Sequence, residues 1–76
     1  MEGRDRRYSI LIEWEPEGQV YVVRVPELPG CITHGATYEE ALAQIQDALD
    51  GYVAVAETQH MALPAPHFYE LGEVPA

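Results

Sequence analysis

Polar and apolar positions alternate from Tyr8 onward. Tyr8, Ile10, Ile12 and Trp14 fall on one side, with Ser9, Leu11 and Glu13 on the other, which is the period of a strand. Glu15-Pro16-Glu17-Gly18-Gln19 interrupts the alternation as a turn, in which Pro16 presets one dihedral and Gly18 allows a positive φ. Residues 20–25 are rich in β-branched side chains and predict a second strand. Setting Trp14 opposite Tyr21 brings Ile12 to Val23 and Ile10 to Val25, so the aromatic and aliphatic partners share one face. Leu11, Val20 and Val22 are left on the opposite face with Ser9, Glu13 and Arg24, and that second face is semi-apolar.

Pro26-Glu27-Leu28-Pro29-Gly30 cannot continue a ladder, because neither proline has an amide to donate. It reads as a rigid crossover loop. A short extended segment, Cys31 to His34, ends at Gly35. Thr37-Tyr38-Glu39-Glu40 has the capping-box form, with Thr37 as the cap and Glu40 reaching back. Apolar residues then recur at Ala41, Leu42, Ile45, Ala48, Leu49, Tyr52, Val53 and Ala56, one face of a helix ending near residues 58–60. Beyond the stiff Leu63-Pro64-Ala65-Pro66 connector, residues 67–71 are expected to form a closing edge strand. The order β-β-β-α-β, with short strands close in sequence, predicts an α+β fold: a small antiparallel sheet with one helix on one face.

Length limits this architecture to one domain over residues 8–76, preceded by a loose polar arm over residues 1–7. A chain of 76 residues buries little of its surface, and its single cysteine forms no intrachain disulfide, so self-association is the expected source of added stability. The face carrying Leu11, Glu13, Val20, Val22 and Arg24 is the candidate oligomer or partner face.

Charge narrows the partners. The chain has 13 acids against 4 arginines, and from Tyr8 onward eleven acids face Arg24 alone. Such a body repels phosphate backbones, so direct nucleic-acid binding is not expected. No apolar run is long enough to span a membrane, and none follows the early arginines as a signal peptide would require. A cytoplasmic protein is the expectation.

Catalytic constellations find little support. Cys31 and His34 stand three apart on a strand and point to opposite faces, so they cannot readily share a metal or act as a nucleophile–base pair. Glu13, Glu15 and Glu17 surround an exposed turn, while Asp47 and Asp50 lie on the outer helix face, a pattern of solvated surface. Core packing accounts for Trp14 and Tyr21. No cofactor, metal or catalytic residue is assigned. The residues themselves describe an acidic, non-enzymatic binding module.

One stretch says more. Val25-Pro26-Glu27-Leu28-Pro29-Gly30-Cys31-Ile32-Thr33-His34-Gly35-Ala36-Thr37-Tyr38-Glu39-Glu40-Ala41 resembles the signature of the HicB-like antitoxin family. The signature positions are Pro26, Leu28, Pro29, Gly30, Gly35, Thr37, Glu40 and Ala41, each with a structural reading in the crossover or the cap. Tyr21-Val22-Val23 upstream, Asp47-Ala48-Leu49 and Leu63-Pro64-Ala65-Pro66 downstream extend the resemblance over residues 8–71. It implies a partial RNase-H-like fold lacking catalytic carboxylates, and a type II toxin–antitoxin role in which a small basic HicA-like mRNA interferase is bound and covered. Many members of that family add a C-terminal operator-binding domain, and the sequence to Ala76 contains none. The alternative is a stand-alone oligomeric homologue with no toxin partner.

Overall fold

The computed structural model describes residues 7–69. All but Arg7 of the expected N-terminal arm, and residues 70 and 71 of the expected closing strand, lie outside the described residues. Three strands, β1 (Leu11–Glu15), β2 (Val20–Arg24) and β3 (Ile32–Gly35), precede one helix, α1 (Tyr38–Thr58). The strands form an antiparallel sheet in the order β1-β2-β3, and the arrangement is α+β as the sequence predicts.

The hairpin register follows the hydrophobic pattern. Trp14 opposes Tyr21 and Ile12 opposes Val23. The expected pairing of Ile10 with Val25 is not made, because the ladder begins at Leu11 opposite Arg24. The Ser9 amide donates to the Glu27 carboxylate at 3.1 Å, which draws the chain off the ladder just before Ile10.

In the turn, Gln19 rather than Gly18 takes the positive φ, at 57°. Gly18 lies instead against the Glu15 carboxylate. Its amide donates to Glu15 Oε1 at 2.6 Å, and a Cβ there would lie 2.9 Å from that oxygen. The Glu17 amide reaches the other Glu15 oxygen, at 3.1 Å.

Between β2 and β3 the crossover is wound tightly. Leu28 N–H donates to Val25 O and Cys31 N–H to Leu28 O, both at 3.0 Å. Leu28 is thereby driven into the core, and Gly30 supplies a φ of 83° that side-chain-bearing residues avoid. Thr37 caps α1 in extended conformation, its hydroxyl accepting the Glu40 amide at 3.0 Å. Glu40 reaches back to accept the Ala36 amide at 2.8 Å, one residue beyond the cap.

Val23, Val25, Leu28 and Cys31 meet Ala41, Ile45, Leu49 and Val53 in one buried cluster, against which Tyr8, Ile12, Tyr21 and Leu63 are packed. Leu42, assigned to the buried face by periodicity, is exposed at the edge of the helix stripe. Trp14 is not a core residue either. Tyr38, in the first turn of α1, stacks on Tyr21 with ring centroids 4.4 Å apart. The helix then runs toward Pro29, whose carbonyl accepts the Tyr52 hydroxyl at 3.2 Å. Trp14 is left half exposed against the edge of Tyr21 at 5.0 Å.

The closing strand is not formed over residues 67–69. Pro64 and Pro66 cannot donate to a ladder, and side chains hold the segment instead. Tyr8 hydroxyl donates to Pro64 O at 2.6 Å, Ser9 hydroxyl to His67 O at 3.1 Å, and the His67 amide to Glu27 Oε2 at 2.9 Å.

Candidate functional site

With α1 packed on one face of the sheet, the other face has no covering element among the described residues. Strand alternation and register place the expected partner-face residues there together, in rows across the sheet. Leu11 opposes Arg24, which opposes Ile32; Glu13 opposes Val22, which opposes His34; Glu15 opposes Val20. Leu11, Val20 and Val22 are half-buried, whereas Ile32 is 51% exposed. Arg24 Nη2 reaches Glu13 Oε1 at 3.4 Å, an exposed pair that contributes little to stability. The face is therefore an apolar strip crossed by one ion pair, with Glu15 at the turn end and His34 at the opposite edge.

Ile32, His34 and Glu15 were not among the residues assigned to this face from sequence. For Ile32 and His34 the signal was the β2–β3 register, which the hairpin pattern alone does not supply, whereas Glu15 follows from the alternation of β1 opposite Val20. Glu27 was missed as well. Its carboxylate gathers the Ser9 amide, the Ser9 hydroxyl and the His67 amide. Burial pushes this carboxyl up, but the amides of His67, Glu27 and Ser9 and the Ser9 hydroxyl outweigh that and hold it below the ordinary glutamate range. The proline on either side of Glu27-Leu28 was the visible hint, since a rigid loop aims whatever it carries.

The signature positions divide by task. Leu28, Gly35 and Ala41 are buried in the helix–sheet contact, and Thr37 and Glu40 cap α1. Pro26 and Pro29 are exposed on the crossover. Cys31 lies in the core, where burial raises its thiol above the usual range, and His34 lies across the sheet from it. Among the described residues, no group of three or more His, Cys, Asp or Glu side chains is placed to hold a metal ion, and no helix is long and apolar enough to cross a membrane.

Comparison with known proteins points the same way as the signature. Residues 8–73 match the family described as the HicB_like antitoxin of bacterial toxin-antitoxin system. A UPF0150 protein of Thermoplasma acidophilum is 35% identical over 65 residues, spanning 86% of this chain and 93% of that protein. A UPF0150 protein of Archaeoglobus fulgidus is 37% identical over 49 residues, 64% of this chain and 70% of the relative. One from Helicobacter pylori is 38% identical over 54 residues, 71% of this chain and 72% of the relative. No solved structure gives a significant match.

Proposed function

The chain belongs to the HicB-like antitoxin family, and from that premise we propose that it binds and neutralises a small basic HicA-like mRNA interferase. The observation that carries this reading is the span of the family match, residues 8–73, which includes all three strands, the helix and the connector after it. The charge supports it. An enzyme that cleaves RNA presents a positive surface to phosphate, and a body with eleven acids against Arg24 is its electrostatic complement.

The uncovered sheet face supplies the kind of contact such a complex needs. Leu11, Val20 and Val22 offer a central apolar strip, and Glu13 and Glu15 stand on the same face. Binding energy is concentrated in central apolar anchors, while acids at the margin steer the encounter. The action is stoichiometric covering rather than catalysis.

The test is neutralisation in cells. The reading expects a neighbouring gene to encode the small basic partner, which expressed alone should arrest growth and degrade mRNA, and co-expression of this chain should restore both. Val22→Lys, which places a cation at the centre of the strip, should abolish rescue while the protein stays folded by circular dichroism. Rescue that persists in Val22→Lys moves the interface elsewhere. Absence of any physical association with the basic neighbour favours the alternative, a stand-alone oligomeric homologue.

A further inference from the structure

The sheet has two edges, and they differ. Along the entry to β1, the segment of residues 63–69 is bound through the Tyr8 and Ser9 hydroxyls. The β3 edge has no such cover among the described residues. Val25 N–H donates to Cys31 O at 3.0 Å, which makes that a hydrogen-bonded pair. By the alternation of antiparallel ladders, Thr33 and Gly35 turn their backbone groups toward β2, while Ile32 and His34 turn theirs outward. Ile32 N–H is already taken by Gly30 O at 3.0 Å, leaving the Ile32 carbonyl and the His34 amide and carbonyl on the free edge. β3 carries none of the proline, lysine or bulge devices that protect an edge.

Beside this edge runs an open groove of about 380 Å³, bounded by Cys31 and Ile32 on one side and by Gly51, Tyr52, Val55 and Met61 on the other. No residue lining it carries a charge. Ile32, Val55 and Met61 are each about half exposed. Gly51 weakens the helix it sits in, yet among the described residues a Cβ there would meet nothing within 4 Å, so no contact among them demands glycine. A glycine with open space above it leaves helix backbone accessible to an approaching chain.

We infer that the free edge of β3 and the groove beside it hold a second copy of this chain, β3 pairing antiparallel with β3 about a twofold axis at Thr33. With that axis, each His34 amide meets the Ile32 carbonyl of the other copy, which gives two backbone hydrogen bonds across the pair and leaves the His34 carbonyls to water. The contact is isologous, as a closed dimer requires. Charge selects this occupant. Two bodies with eleven acids and one arginine each from residue 8 on repel over about 10 Å at 0.1 M salt, so they meet where ionised groups are absent. An uncharged groove gives a basic partner no electrostatic steering, which the acid-bearing surface supplies instead. The pairing leaves the Leu11–Val22 strip free, and it stands independently of the antitoxin reading.

Sedimentation equilibrium of the purified chain at tens of micromolar tests it. The wild type should sediment at twice its 8.5 kDa mass, with dimerisation strengthened by added salt as repulsion is screened. His34→Pro removes the outward amide and keeps the β2 ladder; Val55→Asp charges the groove at a solvent-exposed helix position. Each should weaken dimerisation at least tenfold, while Val22→Thr on the uncovered face should leave it unchanged. Should His34→Pro unfold, Val55→Asp decides alone. A monomeric wild type, or dimers of Val55→Asp as tight as the parent's, would overturn the inference. So would loss of the dimer in Val22→Thr alone.

Discussion

Gly35 lies so close beneath the first turn of α1 that a Cβ on it would fall 2.5 Å from the Ala41 amide nitrogen. The next nearest atoms are also backbone, the Ala41 Cα at 2.8 Å and the Glu40 carbonyl carbon at 2.9 Å. No side chain can swing aside to make room, so the whole helix terminus would have to lift from β3. Gly35→Ala should therefore cost about 3 kcal/mol or more, at or above the usual range for overpacking. Urea unfolding should show a lower midpoint with the slope retained. A midpoint equal to the parent's would mean that the helix is not seated on this glycine.

Much of the fold was legible because it rests on period and on local chemistry. Trp14 opposite Tyr21, the Thr37 cap and the core stripe of Ala41, Ile45, Leu49 and Val53 all follow from neighbours in sequence. Apart from the positive φ at Gln19 and the exposed Leu42, what was misread depends on groups distant along the chain. Ile10 leaves the ladder because Glu27 binds Ser9, and the segment after Pro66 is held by that same carboxylate instead of a ladder. Trp14 lies outside the core because α1 runs away from it toward Pro29. The composition of the uncovered sheet face was half legible: the hairpin pattern gave Leu11, Glu13, Val20, Val22 and Arg24, while Ile32 and His34 join through a register set by the crossover.

Glu27 makes the seating of the C-terminal segment pH-dependent. Its carboxyl is held below the ordinary glutamate range in the folded chain, so the stabilisation is complete above the unfolded value, about 4.3. It is lost as pH falls through the lower folded value. Glu27→Gln should flatten the acid limb of a stability–pH curve. It should also speed proteolysis between residues 61 and 69 at neutral pH, because one amide oxygen cannot replace two carboxylate oxygens at three donors. Identical cleavage rates in the variant and the parent would show that the apolar contacts of Leu63 hold the segment without the carboxylate.

His60 ends the helix at a conformational cost. It sits at φ 56°, with Met61 N–H donating to Ala56 O at 2.8 Å and His60 N–H to Glu57 O at 3.2 Å. This is the Schellman pattern, whose left-handed position favours glycine. His60→Gly should raise stability by roughly 0.5–1 kcal/mol, the relief of the left-handed strain less the extra backbone entropy of glycine. Thermal unfolding should register an upward shift of a few degrees for a chain of this size. A decrease would mean that the imidazole makes a contact worth more than the strain.

Acids near the hairpin should set the rate at which the proposed basic partner is found. Glu13 is exposed on the uncovered sheet face and Glu17 on the turn, so both stand at the margin of the proposed contact, where charge governs encounter more than residence. Glu15 is unsuitable for this test, since its carboxylate accepts the Glu17 and Gly18 amides and shapes the turn. The Glu13–Arg24 pair is exposed on both sides, so losing it should leave the fold intact. Glu13→Gln with Glu17→Gln should slow association several-fold at low salt, flatten its salt dependence, and change dissociation little. Stopped-flow mixing with the proposed basic partner at several salt concentrations separates the two rates. Association with the same salt slope in the parent and the double variant would place the steering charge elsewhere on the body, with the helix acids Asp47 and Asp50 next to be replaced.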